Sequence, residues 1–118
     1  MLHRLIVDDD DAFLVFISAM VKIMYPSIEI HVAFDSEQAL AIATNGRPPA
    51  IVITGIAKPR LDGNGLCKAL RKRLCQRVKI IAMLVNRFSA DADFDRVLSK
   101  PFSMDALCTA TEKACLIR

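Results

Sequence analysis

Leu2-His3-Arg4-Leu5-Ile6-Val7-Asp8-Asp9-Asp10-Asp11 is the stretch whose reading decides the fold. Leu2 to Val7 is a short apolar run that ends in carboxylates, the pattern of a buried strand whose C-terminal end carries polar groups. From Asp11 onward Phe13, Leu14, Ile17, Met20, Val21 and Met24 recur at helical spacing, and Tyr25-Pro26 stops the run. The chain therefore starts as strand, acidic exit, helix.

The same unit repeats outward from there. Ile28, Ile30 and Val32 alternate with Glu29 and His31, as in an edge strand with one wetter face. Asp35 with Gln38 three residues on resembles a capping box, Ala39, Leu40, Ile42 and Ala43 supply an apolar face, and Gly46 a C-terminal stop. Ala50 to Thr54 reads as a third buried strand, followed by a loop from Gly55 to Asp62 that contains Pro59. A third helix carries Leu66, Ala69, Leu70 and Leu74. Val78 to Val85 and Arg96 to Ser99 are the fourth and fifth strands, and Ser103 caps a last helix with Met104, Leu107, Ala110, Thr111 and Ala114 facing inward. Strands alternating with helices demand a parallel sheet covered on both faces, with right-handed crossovers and a ligand site at the carboxyl ends of the strands. One crossover is irregular. Residues 86–95 are close to the minimum of about 10–12 for a crossover with its helix, and Asn86 to Asp93 has no apolar face at helical spacing. The fourth helix is expected to be short or missing.

Composition narrows the function classes. With 118 residues, 53% hydrophobic and 25% charged, the chain fits one domain over 1–118. A net charge of +3, from 16 basic against 13 acidic residues, is too balanced for affinity won by neutralising phosphates, so no nucleic-acid partner is expected. Lys68, Arg71, Lys72, Arg73, Arg77 and Lys79 cluster on the third helix and the turn after it, without interleaved aromatics, and read as a solvated face. Cysteines 67, 75, 108 and 115 lack zinc-ligand spacing and read as reduced thiols, which points to the cytoplasm. Acids at 8–11 interrupt any signal-peptide core, and Ala12 to Val21 is too short to span a membrane, so no membrane association is expected. His3 and His31 lie on neighbouring strands without a third ligand.

Three signals converge on one edge of the sheet: Asp8 to Asp11 after strand one, Gly55 to Gly63 after strand three, and Lys100 after strand five. Asp8 and Asp9 side by side repel one another and call for a cation, which Mg²⁺ or Lys100 can supply. Asp10 and Asp11 suit the positive end of the first helix's macrodipole.

The sequence here resembles the receiver domain of two-component response regulators, over essentially the whole chain. Leu5-Ile6-Val7-Asp8-Asp9-Asp10 resembles that family's first strand and acidic pair, Lys58-Pro59-Arg60-Leu61-Asp62-Gly63 its loop after strand three, and Lys100-Pro101-Phe102 its lysine-proline pair. The resemblance implies a flavodoxin-like, CheY-like three-layer α/β sandwich with sheet order 2-1-3-4-5. It makes Asp8 and Asp9 metal carboxylates, Lys100 the phosphoryl-contact lysine, and the Lys100-Pro101 bond cis.

The departures share one direction. Four residues before Pro59, where the family carries the aspartate that accepts phosphate, stands Gly55, which has no nucleophile. The hydroxyl expected at the end of strand four is replaced by Leu84, or by Val85 with a one-residue slip, and the aromatic switch position three before the lysine is Val97. With one of three carboxylates gone, Mg²⁺ binding is expected to be weak or vestigial and no cofactor is required; a standing pair of Lys100 with the acids needs no metal. The sequence thus resembles an atypical receiver, and no enzymatic activity is expected. It is expected to signal through a protein partner such as a histidine kinase, an output domain or another signalling protein, or by homodimerising. The rival is a Mg-dependent phosphatase of haloacid-dehalogenase type with Asp8 as nucleophile and Asp10 as general acid. Ala12 in place of a threonine, and the lack of an acidic pair after Lys100, count against it.

Overall fold

The computed structural model describes residues 3–58, 61–84, 92–100 and 102–116. In chain order the elements are β1 (His3–Val7), α1 (Asp11–Met24), β2 (Glu29–Ala33), α2 (Ser36–Thr44), β3 (Ile51–Gly55), the two-residue strands β4 (Ala57–Lys58) and β5 (Leu61–Asp62), α3 (Gly63–Leu74), a 3₁₀ turn (Cys75–Arg77), β6 (Lys79–Leu84), β7 (Arg96–Ser99) and α4 (Met104–Leu116).

Leu5, Ile6 and Val7 are apolar without a break because β1 is covered on both faces and flanked on both edges. It pairs in parallel with β2 on one side and β3 on the other, β3 pairs with β6 and β6 with β7. The order β2-β1-β3-β6-β7 is the expected 2-1-3-4-5, and the fold is the flavodoxin-like, CheY-like sandwich. β2 is an edge strand, which explains its alternating polarity.

Strand alternation divides the core in two. Leu5, Val7, Val52 and Ile80 pack with Ala39, Ala43, Leu66, Leu70 and Leu74 under α2 and α3. Ile6, Ile51, Ile53, Ile81, Met83 and Leu98 pack with Leu14, Ile17, Val21, Leu107 and Ala110 under α1 and α4. The helix starts follow their caps: Asp10 accepts the Phe13 N–H, Asp35 that of Gln38, and Asp62 that of Gly65. Gln38 Oε1 reaches back past the cap and accepts the Phe34 N–H at 2.8 Å. Gly46 follows α2 with φ +95°, a conformation only glycine adopts without strain.

Three details differ from the sequence reading. The third strand runs to Gly55 rather than Thr54, because Gly55 still pairs with Met83 on β6. The loop after it contains the antiparallel β4–β5 pair, too short to carry a periodicity. Met104, expected inward, stays partly exposed at the first residue of α4, and the side chain of Ala114 lies outside the described residues. In the fourth crossover residues 92–95 carry no helix, and 85–91, on which the expectation of a short or missing helix mainly falls, lie outside the described residues. Among the described residues no helix is long and apolar enough to cross a membrane.

Candidate functional site

Alternation also decides which side chains meet at the carboxyl end of the sheet. Asp8 follows Ile6 by two residues, Gly55 follows Ile53, and Lys100 follows Leu98; all three predecessors sit in the core under α1 and α4. Asp8, Gly55 and Lys100 are therefore aimed at the same face. Thr54, one residue out of phase, takes the opposite face, and its hydroxyl donates to the Gly55 carbonyl at 2.9 Å.

Asp8 is fully buried, and both carboxylate oxygens are engaged. Oδ1 accepts the Asp10 N–H at 3.0 Å, and Oδ2 lies 2.9 Å from Lys100 Nζ. Backbone ladders hold both residues: the Asp8 N–H donates to Ala33 at 3.1 Å, and the Lys100 N–H to Leu84 at 2.8 Å. The ammonium also sits 3.8 Å from the centroid of the Phe13 ring, whose edge-to-face neighbour is Phe102 at 6.1 Å. A carboxylate taken out of water needs such a partner, since an uncompensated buried charge costs several kcal/mol. A ring face adds about 0.5–2 kcal/mol to a desolvated cation.

The four consecutive acids take separate roles. Asp8 pairs with Lys100; Asp9 is half-buried and makes no hydrogen bond or ion pair among the described residues; Asp10 caps α1; Asp11 lies in its first turn. Asp8 and Asp9 do not share the lysine. Gly55 is buried where β3 meets the start of α3. A Cβ on Gly63 would overlap the Gly55 carbonyl oxygen and lie 2.8 Å from Ile56 Cα, while the Gly63 N–H donates to the Ile56 carbonyl at 2.7 Å. Val97 pairs with Ala82 and is 47% exposed; Leu84 is half-buried opposite Ser99. Val85 and Pro101, with the isomer of the Lys100-Pro101 bond, lie outside the described residues.

The donor set does not fit a three-carboxylate Mg²⁺ site. Lys100 occupies the cation position against Asp8, Gly55 offers no carboxylate, and of the pair Asp8 and Asp9 the second keeps uncommitted oxygens among the described residues. No group of three or more acidic, His or Cys side chains among the described residues is arranged for a metal.

The family model for the response regulator receiver domain matches residues 5–112, with all three site segments inside the match. The chain belongs to the response regulator receiver domain family. This receiver domain is 32% identical over 108 residues to the response regulator MprA of Mycobacterium sp. strain KMS, a match covering 87% of this chain and 46% of that protein. The chain thus spans about half the length of the curated relatives it matches. It superposes on the crystal structure of a response regulator receiver domain protein from Clostridium thermocellum with a TM-score of 0.85, at 23% identity over 97% of this chain and 94% of the other. The receiver domain of the sensor histidine kinase PA1611 of Pseudomonas aeruginosa, solved with magnesium in its active-site cleft, superposes with 0.82 at 24% identity over 97% and 98%.

The phosphatase alternative finds no support. Asp10, which it needs as general acid, is an N-cap whose Oδ1 accepts the Phe13 N–H at 3.2 Å, and the family matched is the receiver.

Two residues of this receiver domain escaped the sequence reading. Phe13 reads as an ordinary core position, yet its ring is a wall of the lysine site; an aromatic at the first turn after the acidic exit, with Phe102 beside Lys100-Pro101, was the available signal. Arg71 is not part of a solvated basic face. Its guanidinium bonds the carbonyls of Asp93, Cys75 and Val78 and the Asp95 carboxylate at 2.7 Å, and Asp95 also accepts the Ile80 N–H at 2.7 Å. This network ties the end of α3 to the segment entering β7. The cause is tertiary: at position 71 the helix turns its flank toward β6, so the side chain is 11% exposed while Lys72 and Arg73 face water.

Proposed function

We propose that this receiver domain signals without accepting phosphate and acts by binding protein. The observation that carries the reading is Gly55, at the sheet-end position that shares a face with Asp8 and Lys100. An aspartyl phosphate needs a carboxylate nucleophile there, and neither glycine nor the out-of-phase Thr54 hydroxyl provides one. The Lys100–Asp8 pair supports the reading from another direction: the ammonium already neutralises the buried carboxylate, so charge balance requires neither Mg²⁺ nor a phosphoryl group. Leu84 and Val97, where the family carries a hydroxyl and an aromatic, fit a site that no longer reports phosphorylation. The domain is in this view not an enzyme, requires no cofactor, and sits in the cytoplasm as a partner for a histidine kinase, an output domain, another signalling protein or a second copy of itself.

Titration with a small-molecule phosphate donor in Mg²⁺, alongside a phosphate-accepting receiver as positive control, tests this by intact mass and acid lability. No labelled protein is expected. Stoichiometric, acid-labile labelling would overturn the proposal.

A further inference from the structure

The outer face of α1 is as apolar as its inner one. Ala12, Val15, Phe16, Ala19 and Ile23 are all exposed, with Val15 at 72%, Phe16 at 54% and Ile23 at 68%. At about 100° per residue these five fall within an arc of about 100°, as wide as a core-facing stripe. A helix with two apolar stripes has one stripe too many for a surface position. On one flank the stripe continues into a groove of about 500 Å³ lined by Leu14, Val15, Ser18, Val32 and Phe34, with Asp11 at its end.

We propose that this face is closed by a second copy of the chain, α1 against α1 in antiparallel, two-fold arrangement. The stripe is complementary to itself only in that sense. With the axis level with residues 17 and 18, Phe16 faces Ala19 of the second copy and Ile23 faces its Ala12, so the two bulkiest side chains of the stripe each meet a small one. A parallel pair would set large against large and leave gaps between the alanines. The charges agree. Asp11 and Lys22, the charged residues of α1, lie on the same flank, about 20° apart around the helix. A two-fold axis perpendicular to both helices brings like flanks together, so Asp11 comes beside Lys22 of the second copy, offset by about 3 Å along the axis, and the contact occurs twice. The same flank carries the groove, so Val32 and Phe34 of both copies extend the buried patch beyond what a helix of about 21 Å offers alone. Such an extension matters because a specific interface needs to clear about 1,000 Å² in total. The inference deepens the reading of the domain as a protein-binding module, but its readout is mass in solution, not phosphate, so the two stand or fall separately.

Sedimentation velocity under reductant and at low salt, from about 5 μM to about 0.5 mM, is the test. The wild-type protein is expected to dimerise with a micromolar dissociation constant. Phe16→Asp, at an exposed position, is expected to weaken dimerisation at least about tenfold while the melting temperature stays near wild type; Ile23→Glu serves the same purpose should Phe16→Asp fold poorly. Asp11→Lys and Lys22→Asp are each expected to weaken the dimer about three- to tenfold, as each strikes two symmetric contacts, and the doubly swapped protein to recover to within about threefold of wild type. A monomer throughout, as expected if another protein covers this face, overturns the proposal. So does a dimer indifferent to Phe16→Asp and Ile23→Glu, or a swap that restores nothing.

Discussion

Replacing Lys100 by Met tests whether the sheet-end site is a standing ion pair. The substitution keeps most of the stem over Phe13 and removes the ammonium 2.9 Å from a carboxylate with no solvent exposure. Breaking a buried pair from one side costs about 3–5 kcal/mol, because the remaining charge is left uncompensated. The lower end, about 3 kcal/mol, applies here, since the Asp10 N–H still donates to Asp8. For 118 residues the unfolding entropy near the midpoint is about 250 cal/mol/K, so each kcal/mol moves Tm by about 4 °C and Lys100→Met lowers it by about 12 °C. Asp8→Asn costs less, as the ammonium it strands is partly exposed and turns to solvent. The double variant should cost less than the sum of the singles by about 1–3 kcal/mol, the coupling expected of touching charges. Urea and thermal unfolding of the four proteins supply the cycle. A loss under about 1 kcal/mol for Lys100→Met, or strict additivity in the double variant, would refute the standing pair and with it the electrostatic support for a phosphate-independent state.

Gly63→Ala should lose about 2–3 kcal/mol in denaturant unfolding, because the new methyl meets the Gly55 and Ile56 backbone rather than a side chain that can swing away; a change under about 0.5 kcal/mol would mean the two segments part easily. Arg71→Met should cost about 3 kcal/mol by stranding the buried Asp95 carboxylate, whereas the exposed Lys72→Met should stay within about 0.5 kcal/mol; equal losses would contradict the network. Burial pushes the Cys67 thiol from 9.0 up to about 11. The folded protein therefore holds that proton more tightly than the unfolded chain, so the contribution is complete below pH 9 and disappears between pH 9 and 11. The stability gap between wild type and Cys67→Ala should shrink across that window and stay flat from pH 7 to 8. At pH 8 iodoacetamide should label the exposed Cys75 and spare Cys67 in the folded protein, read by peptide mass.

Much of this was legible in the order of residues. The unbroken apolar β1 and the alternating β2 announced a central and an edge strand, because a strand's exposure on each face is written directly into its periodicity. Asp10, Asp35 and Ser103 marked helix starts, since a cap acts within three residues and needs no distant partner. That a glycine stands at position 55 was equally plain, as the identity of one residue needs no fold to be read. Arg71 was not legible: its partners at 75, 78, 93 and 95 are brought together by the return of the chain, and a basic residue among basic residues looks solvated until the fold is known. The β4–β5 pair was hidden because two residues have no period.

By itself the sequence determined a five-stranded, doubly covered parallel sheet with Asp8, Gly55 and Lys100 at one end of it, since these follow from local periodicity and the handedness of crossovers. Only the tertiary structure decided that Lys100 belongs to Asp8 and not to Asp9, and that Phe13 forms the site's apolar wall. Asp8 and Lys100 are separated by 92 residues, and which of two adjacent carboxylates a lysine meets depends on strand alternation and on the ladder bond from Lys100 to Leu84. Those distances exist only once the sheet has closed.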